Sequence, residues 1–141
     1  MFVNQYEHSL DSKNRLVLPA RFRLKLGDKV FLAPQGSSLA VYSEEAFNET
    51  FQRLLDQVRS KEIDPQARLA FAARTVEIDI DSAGRITIPQ RLREFANLTD
   101  DVIVAGAYTH VEIWDREAYA AMESTLTSVI QEQFKAGGTI N

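Results

Sequence analysis

Seven basic side chains in this sequence stand where a polyanion could be gripped, in two sets of matching spacing. Lys13, Arg15, Arg21 and Arg23 follow Asp11, and Arg85, Arg91 and Arg93 follow Asp81 at the same intervals. A guanidinium is planar, permanently charged and offers five donors in a fork, so it can hold a phosphate or the O6/N7 edge of a guanine. A single Asp-x-x-x-Arg is a weak signal that also suits an ordinary turn with an exposed arginine. Here the whole stretch Asp11-Ser12-Lys13-Asn14-Arg15-Leu16-Val17-Leu18-Pro19 recurs as Asp81-Ser82-Ala83-Gly84-Arg85-Ile86-Thr87-Ile88-Pro89. Turn geometry accounts for the aspartates, the prolines and the Asn14 or Gly84 position; it does not account for the arginines.

The aspartates are expected to be scaffold. A side-chain carboxylate at the start of a turn accepts from the turn amides and can pair with the arginine four residues on. Asn14 and Gly84 are the residue types that tolerate a left-handed backbone. Asp11, Asn14, Asp81 and Gly84 therefore build the turns, and the expected DNA contacts are Lys13, Arg15, Arg21, Arg23, Arg85, Arg91 and Arg93. Arg21 and Arg23 lie two apart, roughly 200° around a helix, so they cannot face one phosphate together. One of each pair, Arg21/Arg23 and Arg91/Arg93, is expected to be structural.

The repeat extends beyond the motif. Val30-Phe31-Leu32-Ala33 matches Val102-Ile103-Val104-Ala105, and Val41 to Phe47 matches Ile113 to Tyr119. The offset grows from 70 residues at the motif to 72 at the later strands, which places a two-residue insertion in a loop of the second copy. A unit of about 40 residues is marginal alone, so the two copies are expected to share one core. Period-two alternation in Tyr6, His8 and Leu10, then in Leu16 and Leu18, reads as the two strands of a hairpin. Val76, Ile78 and Ile80, with Ile86 and Ile88, repeat it. Short helices are expected from Pro19 and Pro89 to near Gly27 and Asn97. Strands follow over 30–33 and 39–42, with 34–38 as a plain turn, and again over 102–105 and 111–114. Each copy closes with an amphipathic helix capped by Ser43 or Asp115, with apolar stripes Phe47, Phe51, Leu54, Leu55, Val58 and Tyr119, Met122, Leu126, Ile130. These stripes are expected to be core or subunit interface. A further helix runs from Asp64-Pro65 through Phe71, and residues 136–141 are expected to fray. The resulting organisation is a first repeat over 5–47, a helical connector over 48–75, a second repeat over 76–119, and a closing helix and tail over 120–141.

The 141 residues carry a net charge of -4 and a pI near 5.2, which on average opposes nucleic-acid binding. The distribution reverses the inference locally. Residues 11–25 sum to +4, residues 81–95 to +1, and the remainder to -9. Screening over about 8 Å at physiological salt lets an acidic body carry a basic contact surface. Lys13 has no counterpart at Ala83, and Glu77 and Asp79 flank the second motif where the first has Glu7 and Ser9, so the first motif should contact DNA more strongly.

The chain has no cysteine, which excludes disulfides and thiolate metal sites. His8 and His110 have no ligand spacing around them and read as ordinary strand residues. No phosphate-binding loop, nucleophile elbow or pair of catalytic carboxylates occurs, so the expectation is no enzyme, no metal, no cofactor and no small-molecule substrate. The N-terminal residues lack a basic and then apolar leader, and no apolar run approaches membrane length; a soluble, cytoplasmic, nucleoid-associated protein without membrane contact is expected.

The two motifs, each followed by hydrophobic-x-hydrophobic-Pro and then arginines, resemble the AbrB-like, swapped-hairpin DNA-binding domains. Together with Met1-Phe2, Tyr6 to Lys13 and Glu112-Ile113-Trp114 they resemble the MraZ family over nearly the whole chain. The resemblance implies a mainly β fold with α-helices (α+β): a duplicated swapped-hairpin β-barrel with an internal pseudo-two-fold, helices following each repeat. It further implies a transcriptional regulator, usually a repressor, that assembles as a ring-shaped homo-oligomer. Such a protein binds double-stranded promoter direct repeats ahead of the division and cell-wall gene cluster, with Arg15 and Arg85 as motif arginines. The competing expectation is an antitoxin-like or scaffold protein-interaction module that never touches DNA.

Overall fold

The computed structural model describes residues 1–137. The C-terminal part of the expected fraying, residues 138–141, lies outside the described residues. The elements run β1 (Gln5–Ser9), β2 (Arg15–Val17), α1 (Ala20–Leu26), β3 (Lys29–Gln35), β4 (Ser38–Tyr42), α2 (Glu44–Arg59), α3 (Gln66–Arg74), β5 (Val76–Asp79), β6 (Arg85–Thr87), α4 (Gln90–Phe95), β7 (Asp101–Gly106), β8 (Val111–Asp115) and α5 (Arg116–Lys135). The fold is α+β and duplicated, as the sequence repeat requires.

The two copies exchange strands rather than folding side by side. β1 of the first copy pairs with β7 of the second, and β5 of the second pairs with β3 of the first. The registers are the same in both places: Tyr6 faces Val104 as Val76 faces Leu32, and His8 faces Val102 as Ile78 faces Val30. The β1 and β2 strands, which alternation alone marks as one hairpin, are joined by the turn, but each finds its ladder in the other copy: β2 pairs with β6. The physical reason is the length of β2. Three residues make too short a ladder to stand on their own edge, and pairing with the equivalent three residues at the pseudo-axis lets both bury an inward side chain.

All pairings are antiparallel. The larger sheet has six strands in the order β1-β7-β8-β4-β3-β5, and the β2–β6 ribbon forms the second sheet. The ladder of the large sheet does not close on itself; β1 and β5 are its edges. The pseudo-two-fold passes where equivalent residues face one another, at Leu16 opposite Ile86 in the ribbon and at Ala40 opposite Glu112 between β4 and β8.

One apolar core fills the space between ribbon and sheet. Leu16, Leu18, Ile86 and Ile88 come down from the ribbon side and meet Val30, Leu32, Val102 and Val104 of the sheet, with Phe22 and Leu92 sealing the flanks from α1 and α4. Each of these side chains contributes roughly 1.5–3 kcal/mol on burial, so the ribbon is pinned by its own inward residues. A second cluster covers the opposite sheet face: Phe47 of α2 stacks on Phe31 at 4.9 Å and on Phe71 of α3 at 5.5 Å, above Ala33, Ala40 and Tyr42.

Two local expectations are corrected. The 34–38 segment is not all turn: β3 continues through Pro34 and Gln35, which face Leu39 and Ser38, leaving a two-residue loop at Gly36-Ser37. The β5 register on β3 ends at Leu32, so beyond it a residue with no N–H loses no ladder bond on that edge. His110 lies outside β8, in the connection that Tyr108 bends with a left-handed backbone at φ 68°, and its ring bonds Glu112 Oε2 at 3.1 Å. No helix among the described residues is long and apolar enough to cross a membrane.

Candidate nucleic-acid interface

The two motif turns are built by the same hydrogen bonds. In the first, Asp11 Oδ1 accepts from the backbone N–H of Lys13 and of Arg15, both at 2.9 Å, while Oδ2 accepts from Arg15 Nε at 2.7 Å. In the second, Asp81 Oδ1 accepts from Ala83 and Arg85 N–H at 2.9 Å, and Oδ2 from Arg85 Nε at 2.8 Å. The backbone closes identically: Asn14 N–H donates to Asp11 C=O and Gly84 N–H to Asp81 C=O, both at 2.9 Å. The backbone bond from Arg15 holds the Asp11 carboxyl below its ordinary value, and that from Arg85 does the same for Asp81. Both aspartates are therefore charged at neutral pH and act as clamps.

Asn14 and Gly84 sit at φ 59° and 78°, the left-handed conformation that closes the turn. Gly84 is required twice over. It is buried, and a Cβ there would collide with the guanidinium of Arg23, which reaches across from the other copy. The turns are also stitched to each other, since Leu18 N–H donates to Gly84 C=O and Ile88 N–H to Asn14 C=O, both at 3.0 Å.

The ribbon's parity decides what faces outward. Leu16 and Ile86 point into the core, so Arg15, Val17, Arg85 and Thr87 occupy the outer face. Arg15 lies opposite Thr87 and Arg85 opposite Val17, which makes the two arginines diagonal neighbours about 7–8 Å apart. Their side chains are 28% and 31% exposed. Each spends its Nε on the clamp, and among the described residues neither uses its terminal Nη groups in a hydrogen bond. The result is a pair of pre-oriented forks on one rigid two-stranded ribbon. Such a ribbon fits the major groove of B-form DNA, and an Nη pair suits phosphate or guanine.

The later arginines divide as helical spacing requires. Arg21 and Arg91 are exposed, while Arg23 lies against Gly84 and Arg93 donates from Nη1 to the Ile88 carbonyl. Lys13 is exposed at the first turn, beside the ribbon face. The structure thus brings Lys13, Arg15 and Arg85 to one surface and turns Arg23 and Arg93 into struts beneath it. Val17 and Thr87 share the arginine face without having been singled out from sequence. The signal was present in the same alternation, since Arg15-x-Val17 and Arg85-x-Thr87 occupy one side of their strands.

Comparison with known proteins is consistent over both copies. A family model described as "MraZ protein, putative antitoxin-like" matches residues 1–70 and again 71–136. A protein of Acetivibrio thermocellus named transcriptional regulator MraZ is 37% identical over 139 residues, covering 94% of this chain and 96% of that one. Proteins of the same name from Caldanaerobacter subterraneus subsp. tengcongensis and from Thermoanaerobacter sp. are each 40% identical over 121 residues, covering 84% of both chains.

Proposed function

We propose, from the premise that this chain belongs to the MraZ family, that it is a transcriptional regulator which binds double-stranded DNA through the outer face of the β2–β6 ribbon. The observation that carries the reading is the pair of clamped arginines, Arg15 and Arg85, diagonal on that face with their Nη groups unspent. A clamp that consumes Nε and leaves both Nη groups fixes the fork before DNA arrives. Little side-chain entropy then remains to be lost on binding. Lys13 and the exposed Arg21 and Arg91 supply backbone contacts around it.

The finer part of the proposal follows the family resemblance: repression of the division and cell-wall gene cluster from promoter direct repeats, by a ring of several chains. A ring repeats one weakly basic face many times, and effective concentration converts modest contacts into tight binding. This reconciles a protein of net charge -4 with a polyanionic partner.

Binding to the chain's own upstream promoter fragment, measured by fluorescence anisotropy across a salt series, tests the reading. Arg15→Ala should weaken binding by roughly 5–150-fold, the span of about 1–3 kcal/mol for a base-contacting arginine. Arg85→Ala should weaken it less, because Lys13 supports only the first motif. A double variant that binds with unchanged affinity and salt dependence refutes the assignment. A stoichiometric protein partner in place of salt-sensitive DNA retention would make the chain a protein-interaction module instead.

A further inference from the structure

Each motif turn carries one residue to which neither the turn nor the arginine pair gives a task. Ser12 follows Asp11 and Ser82 follows Asp81, and both serines are exposed. Turn sterics do not call for serine at this position. The bonds from Asn14 N–H to Asp11 C=O and from Gly84 N–H to Asp81 C=O close four-residue turns, of which Ser12 and Ser82 are the second residues. Such a position asks only for a negative φ, and proline fills it best.

The hydrogen bonds show what each turn leaves over. In the first, Asp11 N–H donates to Arg15 C=O, Lys13 and Arg15 N–H to Asp11 Oδ1, and Asn14 N–H to Asp11 C=O. In the second, Asp81 N–H donates to Arg85 C=O, Ala83 and Arg85 N–H to Asp81 Oδ1, and Gly84 N–H to Asp81 C=O. The serine N–H is the one that takes no part in either turn. Neither it nor the serine hydroxyl has a hydrogen-bond partner among the described residues. In both copies, then, one main-chain donor and one side-chain donor stand free on the same exposed residue. Both are neutral, and backbone N–H groups and serine hydroxyls are ordinary donors to DNA phosphates.

The turns are also placed for that task. Leu18 N–H bonds Gly84 C=O and Ile88 N–H bonds Asn14 C=O, so the two turns flank opposite ends of the β2–β6 ribbon. The extended chain from Asn14 to Leu18 spans about 14 Å at roughly 3.4 Å per residue. The major groove of B-form DNA is about 12 Å wide. A ribbon laid across the groove with Arg15 and Arg85 over the base edges carries its turns over the two walls, where the phosphates run.

We propose that Ser12 and Ser82 each hold one DNA phosphate through the backbone N–H and Oγ–H together, one on each strand of the duplex. The inference rests on the ribbon being the DNA-binding face, and it adds two neutral phosphate contacts to the cationic ones. At the first turn the serine stands beside Lys13. At the second, where Ala83 takes the place of the lysine, Ser82 is the turn's own phosphate contact.

Because the serine N–H has no partner within the turn, Ser12→Pro and Ser82→Pro remove both donors and break no turn bond. Proline also restricts the unfolded chain, so each full-length variant should melt no lower than the unmodified protein. In fluorescence anisotropy with the upstream promoter fragment, each should bind on the order of tenfold more weakly. Ser12→Ala and Ser82→Ala, which lose the hydroxyl alone, should each lose a smaller factor. A neutral donor displaces no counterion, so the salt slope should stay unchanged in all four, whereas Lys13→Ala should lower it by about one. Folded proline variants that bind within about twofold of the unmodified chain would overturn the proposal. So would a loss accompanied by a changed salt slope, since a displaced cation would then be its cause. If a proline variant does not fold, Ser12→Ala/Ser82→Ala decides: weaker binding at unchanged slope supports the contacts, and unchanged affinity overturns them. Arg15→Ala/Arg85→Ala, measured alongside, separates the two readings. If it loses binding while the serine variants do not, only the serine contacts fail; if it binds like the unmodified chain, the ribbon reading fails and the serine contacts with it.

Discussion

Gly84→Ala isolates the coupling between the two copies at the motif. The backbone there is at φ 78°, and a left-handed L-residue costs about 1–2 kcal/mol. The new methyl would also occupy the place of the Arg23 side chain, forcing the guanidinium off its resting position at a further 0.5–1 kcal/mol, roughly the cost of a strained rotamer. Together these predict a loss of about 2 kcal/mol, or a fall in Tm of roughly 4–8 °C at this chain length. The decisive measurement is a double-mutant cycle by urea unfolding. In an Arg23→Ala background the collision is gone, so Gly84→Ala should cost only the backbone part, about 1–2 kcal/mol, leaving a coupling of roughly 0.5–1 kcal/mol. Equal costs in both backgrounds would refute the claim that Arg23 fills the space a side chain at residue 84 would need.

The carboxylate clamps predict an acid limb in stability. Asp11 and Asp81 are held below their ordinary value of 3.8, by the backbone N–H of Arg15 and of Arg85 first. Their contribution is thus fully present above that value and is lost as pH falls through the depressed folded one. Asp11→Asn/Asp81→Asn should flatten the dependence of Tm on pH below about 4; an unaltered profile would show that the clamps contribute nothing to it. Asp115, 7% exposed, accepts from Thr99 N–H at 3.0 Å and from its hydroxyl at 2.7 Å. Burial pushes its carboxyl up, but these bonds outweigh burial and hold it below the ordinary value. Removing the hydroxyl with Thr99→Val should cost about 1–3 kcal/mol of unfolding free energy in denaturant titration, and no loss would mean that water replaces it.

The arginine positions were legible because the chain states its motif twice, and because Leu16 and Ile86 alternate with Arg15, Val17, Arg85 and Thr87 at the period of a strand. The turn chemistry was equally plain in Asp11, Asn14, Asp81 and Gly84. Strand exchange was not legible from alternation. Period two says which face of β1 is buried and nothing about which strand lies beside it, and the three-residue β2 pairs only by finding its own equivalent. The division of Arg23 from Arg21 follows from helical angle, yet the identity of the strut needed the neighbouring copy, since Arg23 rests on Gly84, 61 residues away in sequence. Local propensity places Pro34 and Gln35 in a turn because proline is a breaker, while proline's tolerance in β3 comes from the end of the β5 register at Leu32.

Fusing the copies in one chain changes what the ribbon can ask of DNA. A true two-fold dimer presents identical halves and so selects a palindrome. Here the halves differ at Lys13 against Ala83, at Asn14 against Gly84 and at Val17 against Thr87, all on or beside the arginine face. On the DNA-binding proposal, a site read by this ribbon has a direction: the Lys13 side bears the extra cation, and Val17 offers an apolar contact where Thr87 offers a hydroxyl. Selection of binding sites from random duplexes should therefore return an asymmetric element, repeated head to tail where several chains act together. Ala83→Lys should reduce that asymmetry and steepen the salt dependence by about one phosphate contact. Recovery of a palindrome with the native chain would show that the two turns contribute equivalently, and the difference between them would then have no bearing on recognition.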